Sequence, residues 1–102
     1  MAIQDSWGPR PFTVQTPDNR LFRITVKGRD LWALEALMRA GPIGCTPITN
    51  PAPRWSAYVH NLRALGVAIE TLTEPHSGPF SGSHGRYVLR SEVMAEGKQH
   101  DR

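Results

Sequence analysis

Between Trp55 and Leu65 the apolar residues Trp55, Tyr58, Val59, Leu62 and Leu65 recur every three or four positions, which places them on one stripe of a helix. Arg54, Ser56, His60, Asn61 and Arg63 fall largely off that stripe and leave a second, polar face. Gly66 follows, a residue able to adopt the left-handed conformation that closes a helix. From Val67 to Thr73 the period changes to two and β-branched residues dominate, which suits a strand. Arg86 to Arg90 has the same character, with Tyr87 and Leu89 on one side. The intervening Glu74 to Gly85 is rich in Pro, Gly, Ser and His, and its pattern predicts a long hairpin tip.

Upstream, Phe12 to Lys27 alternates in two runs. Phe12 and Val14 match Phe22, Ile24 and Val26 across a Pro17-Asp18-Asn19 turn, which predicts a β-hairpin over residues 11–27. Asp30, just after Gly28, is the expected N-cap of an amphipathic helix carrying Leu31, Leu34, Leu37 and Met38 and ending at Gly41-Pro42. Thr46-Pro47 predicts a second cap and a short helix, which Pro51 and Pro53 keep from running far. The third helix is then expected to open near Asn50-Pro51 or Pro53. The chain thus predicts an α+β domain over residues 11–91, with the order hairpin, helix, short helix, helix, strand, tip, strand. Three helices are expected to pack as one unit closed by the C-terminal hairpin. The N-terminal hairpin is an addition that extends the sheet, covers the core or offers an edge to another subunit. Residues 1–10 and 92–102 lack periodicity or turn polar, and flexible ends are expected there.

The run from Asn61 to Thr71 contains Leu62-Arg63, Gly66 and Ile69-Glu70-Thr71, and Gly85-Arg86-Tyr87-Val88-Leu89 follows the loop. Over about Asp30 to Arg90 this resembles small winged-helix proteins of bacteria and their phages. Those proteins share a Leu-Arg-x-x-Gly-x-x-Ile-x-Thr signature at the helix-to-wing junction and a Tyr-x-Leu strand after it. The resemblance implies a helix-turn-helix core with a C-terminal β-hairpin wing, and a role in DNA binding or in phage and prophage regulation. The proline-interrupted segment from Thr46 to Pro53 departs from the commoner pattern of the second helix.

Charge is compatible with that role. The 102 residues carry 12 Lys+Arg against 9 Asp+Glu, a formal net charge of +3 and a sequence pI near 9.6, which favours a polyanionic partner without demanding one. The expected partner is double-stranded DNA, with helix 54–65 in the major groove. Arg54, Ser56, His60, Asn61 and Arg63 offer donors to bases or phosphates, and Ser83, His84 and Arg86 supply a second contact from the tip. Arg54 also adds charge where the helix dipole favours an anion. So few cations suggest a dimer or a further partner. DNA binding further requires Arg54, His60, Arg63, His84 and Arg86 to share one positive surface free of Glu70 and Glu74.

Each residue also has a plainer role. Arg63 can snorkel and pair with Glu70 or Glu35, His60 can be merely solvated, Asn61 can hydrogen-bond locally, and Arg86 can guard a strand edge. Trp32 and Trp55 are expected in the core. The alternative function is a protein-interaction module presenting an apolar or mixed patch around Trp7, Trp55 or Phe80, with the N-terminal hairpin or the exposed tip as the contact, the hairpin also offering a homodimer edge. His60, His76, His84 and Cys45 match no metal-ligand spacing, and no catalytic pair or phosphate loop is evident, so no cofactor and no enzymatic activity are expected. The lone cysteine fits a reducing compartment, and no run approaches the roughly 20 apolar residues of a membrane helix. A cytoplasmic protein is expected.

Overall fold

The computed structural model describes residues 7–52, 54–76 and 82–96. Strands β1 (Arg10–Gln15) and β2 (Leu21–Val26) form the expected antiparallel hairpin, in register from Arg10 opposite Val26 to Gln15 opposite Leu21. Its alternation buries Phe12, Val14, Ile24 and Val26 against the helices, so this sheet covers the core. Helix α1 (Gly28–Ala40) follows and buries Leu31, Leu34 and Leu37. Asp30 is not its N-cap. Lys27 holds that position without a side-chain bond, and Asp30 lies in the first turn.

The expected second helix is absent, leaving two α-helices among the described residues. In its place stand a single 3-10 turn, Gly41–Ile43, and a turn built on Thr46. The buried Thr46 hydroxyl accepts from the Ile48 and Thr49 amides at 3.1 and 2.9 Å, and the Asn50 amide reaches the Thr46 carbonyl at 2.9 Å. One capped turn forms, with Pro47, Pro51 and Pro53 opposing its extension. Thr46→Ala is expected to cost about 1 to 2 kcal/mol, because two amides lose their acceptor; chemical denaturation would measure it.

Helix α2 (Trp55–Ala64) buries Trp55, Tyr58, Val59 and Leu62, and Arg54 is its N-cap. It ends as its sequence predicts. Gly66 takes φ of +103°, its amide reaches the Arg63 carbonyl at 2.9 Å, and the Val67 amide reaches the Leu62 carbonyl at 3.2 Å, the paired bonds of a Schellman stop. Phe22 of β2 packs directly over Gly66, where an added Cβ would lie 2.7 Å from its ring, so the first sheet is fixed to the end of α2.

Strands β3 (Ile69–His76) and β4 (Gly82–Leu89) form a two-stranded sheet, paired from Ile69 opposite Leu89 to His76 opposite Gly82. Pairing thus continues through Glu74–His76 and Gly82–Gly85, which the sequence assigns to the loop. Phe80 and the rest of the tip, 77–81, lie outside the described residues. Cys45 anchors β4 through a bridge to Tyr87. The supposed tail also begins as structure: β5 (Glu92–Ala95) pairs antiparallel with β1, placing Val93 opposite Val14 and completing a sheet of order β2-β1-β5. The boundary expected at residue 91 is therefore corrected to beyond Ala95, while residues 1–6 and 97–102 lie outside the described residues.

Candidate nucleic-acid interface

With Trp55, Tyr58, Val59 and Leu62 turned inward, helical spacing turns Ser56, Ala57, His60 and Ala64 to the opposite side of α2. Ser56, His60 and Ala64 are exposed and Ala57 is half-exposed. Small side chains flank a single imidazole, so little stands between the helix backbone and a partner. The two alanines carry no polar group and are invisible to a search for chemistry, although their spacing with His60 already marks one face.

The residues at the edges of this face are engaged. Asn61 Nδ2 donates to both carboxylate oxygens of Asp30 on α1, at 3.2 and 3.3 Å. Arg63, on the other edge, turns its guanidinium to β3. Its Nη2 donates to the Ile69 carbonyl at 2.6 Å and to Thr71 Oγ1 at 2.9 Å, and its Nε donates to the same carbonyl at 3.1 Å. Neither Glu70 nor Glu35 is its partner: Glu70 pairs with Arg90 at 2.6 Å and Glu35 with Arg10 at 2.7 Å. Arg63 thereby joins α2 to the hairpin. Arg54, at the exposed start of α2, has no ionic partner among the described residues.

On the hairpin, Glu74 draws two expected contact residues to itself. Arg86 Nε and Nη2 both donate to its carboxylate, the latter at 3.0 Å, and His84 Nε2 lies 3.3 Å from Oε1. Arg86 Nη1 also donates to the Ile43 carbonyl at 2.8 Å. The hydrogen bond from Arg86 holds the Glu74 carboxyl below its usual range. That carboxylate's stabilising contribution is accordingly present above the ordinary glutamate range and lost as pH falls through the depressed value. Ser83 is exposed on β4. The continuous positive surface expected through Arg54, His60, Arg63, His84 and Arg86 is not formed, because Glu74 closes its hairpin end.

Trp55 is 3% exposed, stacks on Tyr87 and donates from Nε1 to the Asn50 carbonyl at 2.6 Å, which removes it from any surface patch. Trp32 is half-buried against Trp55 and Tyr58. Cys45 is fully buried and burial raises its thiol, which suits packing rather than nucleophilic chemistry. No helix among the described residues is long and apolar enough to cross a membrane.

No curated protein and no solved structure matches this chain. A family model described as a winged helix domain does match, over residues 23–99. That span runs from β2 through both helices and the β3–β4 hairpin to the strand that closes the first sheet. The chain belongs to the winged helix domain family.

Proposed function

We propose that this protein binds double-stranded DNA by laying the outer face of α2 in a major groove, with the β3–β4 hairpin reaching the flanking backbone. The observation that carries this reading is the bare, small-residue face of α2, tied through Arg63 at its edge to strand β3 of the hairpin, in a domain type whose helices commonly enter grooves. Ser56 and His60 meet base edges, and Ala57 and Ala64 allow close approach. Arg54 meets a phosphate at the helix N-terminus. Asn61 and Arg63 act mainly by position: one is held by Asp30, the other sets the hairpin against α2. The single positive surface expected of a DNA binder is interrupted by Glu74 in the free protein and lacks Arg63, so in this reading Ser83, His84 and Arg86 complete the hairpin contact only when a phosphate displaces Glu74. In a cell this describes a cytoplasmic regulator or accessory factor of bacterial or prophage type.

Titration of a labelled duplex at two salt concentrations tests the reading. With about three phosphates engaged, affinity should fall roughly 40-fold between 50 and 200 mM salt. Glu74→Gln removes the carboxylate charge held against Arg86 and His84, and should raise low-salt affinity about 3- to 10-fold while steepening the salt slope by about one. Absence of any salt-dependent binding contradicts the proposal, and an unchanged Glu74→Gln removes the hairpin contact from it.

A protein-interaction role is the second reading. It is favoured by the outer edge of β2, which has no strand partner beyond β1 among the described residues, and by exposed Leu21, Leu65 and Leu72. In that reading the N-terminal hairpin is the surface for a partner or a second copy.

A further inference from the structure

Two clefts meet at Arg29, on the side of α2 that faces α1. One, of about 380 Å³, is lined by Trp7, Gly28, Arg29, Trp32, Pro51 and Ala52. The other, of about 450 Å³, is lined by Arg29, Asp30, Arg54, Ala57, Tyr58 and Asn61. Each lies in the range of small-molecule sites. We propose that together they form a bipartite site for a nucleotide unit, with the base against Trp7 and Trp32 and its phosphate between Arg29 and Arg54.

The first cleft presents indole rings and aliphatic surface. Trp7 is 42% exposed, and Trp32 keeps part of its surface outside the aromatic cluster it forms with Trp55 and Tyr58. Indole faces of this kind stack on nucleobases. The second cleft carries Arg29 and Arg54, both exposed and without an ionic partner among the described residues. Guanidinium groups suit phosphate oxygens through paired N–H donors.

Two features sharpen the preference for an anion there. The N-termini of α1 and α2 border these clefts, and neither is capped by a side chain. Tyr58, 5% exposed, lines the cationic cleft, and its buried hydroxyl has no hydrogen-bond partner among the described residues. Asp30 opposes them, but its carboxylate already accepts from Asn61, and the two arginines leave this half with a net positive charge. An apolar ligand would leave the arginines unused, and a bare phosphate would leave the indoles unused. A nucleotide uses both.

The free unit and an unpaired nucleotide within a strand share this chemistry, and one experiment separates them. The indole N–H signals of the full chain are followed by NMR during titration with deoxyadenosine monophosphate, deoxyadenosine, inorganic phosphate, a short single-stranded oligonucleotide and an acidic, aromatic peptide. Saturable shifts of Trp7 and Trp32 with the monophosphate are expected, weakened at least tenfold by Trp7→Ala or Arg29→Ala. Both replaced side chains are at the surface, and unchanged melting would show that the fold survives. Tighter binding of the oligonucleotide by tenfold or more assigns the site to an unpaired strand, and comparable binding assigns it to the free nucleotide. The site shares Arg54 and Ala57 with the proposed duplex surface but not His60, so His60→Ala should leave these shifts intact even where duplex binding is weakened. Three results overturn the proposal: no saturable shift with either nucleotide form, equal binding of deoxyadenosine or of inorganic phosphate alone, or a response confined to the peptide.

Discussion

Gly44→Ala is expected to lower stability by about 3 kcal/mol or more and the melting temperature by roughly 15 °C or more. Gly44 has φ of +77° and ψ of −177°, a backbone region essentially closed to residues with a Cβ. An added Cβ would also lie 2.5 Å from the Tyr87 carbonyl oxygen and 2.9 Å from Val88 Cγ2. The carbonyl belongs to the bridge that joins the next residue to β4: the Cys45 amide donates to it at 2.9 Å, and the Tyr87 amide donates to the Cys45 carbonyl at 2.8 Å. The methyl group therefore pushes against backbone that cannot rotate away. Because β4 is half of the hairpin, amide exchange in β3 and β4 should accelerate more than in β1 and β2. A melting temperature within about 2 °C of the parent would show that this attachment tolerates displacement and is not what fixes the hairpin.

Ser56→Glu is expected to reduce duplex affinity at least roughly 30-fold, about 2 kcal/mol, because it sets a carboxylate against phosphates at the centre of the proposed contact. Stability should hold or rise slightly. Residue 56 is in the first turn of α2, which has no acidic residue, and an anion there is favoured by the helix dipole. This opposite movement separates loss of contact from loss of fold. Duplex titration beside a thermal melt checks both. Unchanged affinity would place the DNA surface elsewhere, and a fall in affinity that tracks a fall in melting temperature would reduce the effect to unfolding.

The parts of the fold legible in the sequence are those in which local pattern and burial agree. The β1–β2 alternation, the leucine spacing of α1, the stripe of α2 and the stop at Gly66 all recur in the structure because each is a local period meeting one core. The failures have distinct causes. Thr46 carries a cap signal, but a cap satisfies one turn as well as the start of a helix, and the prolines nearby oppose more. Glu74 to His76 and Gly82 to Gly85 have poor strand propensity, yet cross-strand pairing and the grip of Glu74 on His84 and Arg86 extend the ladder. Four residues of β5 in a polar stretch give too short a signal to separate from a tail, since their pairing depends on β1 at the other end of the chain.

The candidate site was legible as a face, and much less so as a set of free side chains. Exposure of Ser56 and His60 follows from spacing within α2. The engagement of Asn61 by Asp30, of Arg63 by Ile69 and Thr71, and of Arg86 by Glu74 joins separate elements or strands and cannot be read from helical period. Arg29 has no helical-period signal for the same reason: only the packing of α1 on α2 brings it into one cleft with Arg54.

In the proposed complex the outward side of α2 and the adjoining hairpin contact one stretch of duplex together. Backbone amide shifts of the labelled protein on addition of a duplex test it most directly. A footprint on Ser56, Ala57, His60 and Ala64 that continues onto Ser83 and His84 is expected. A footprint confined to β2 and β5, with α2 unmoved, would contradict it.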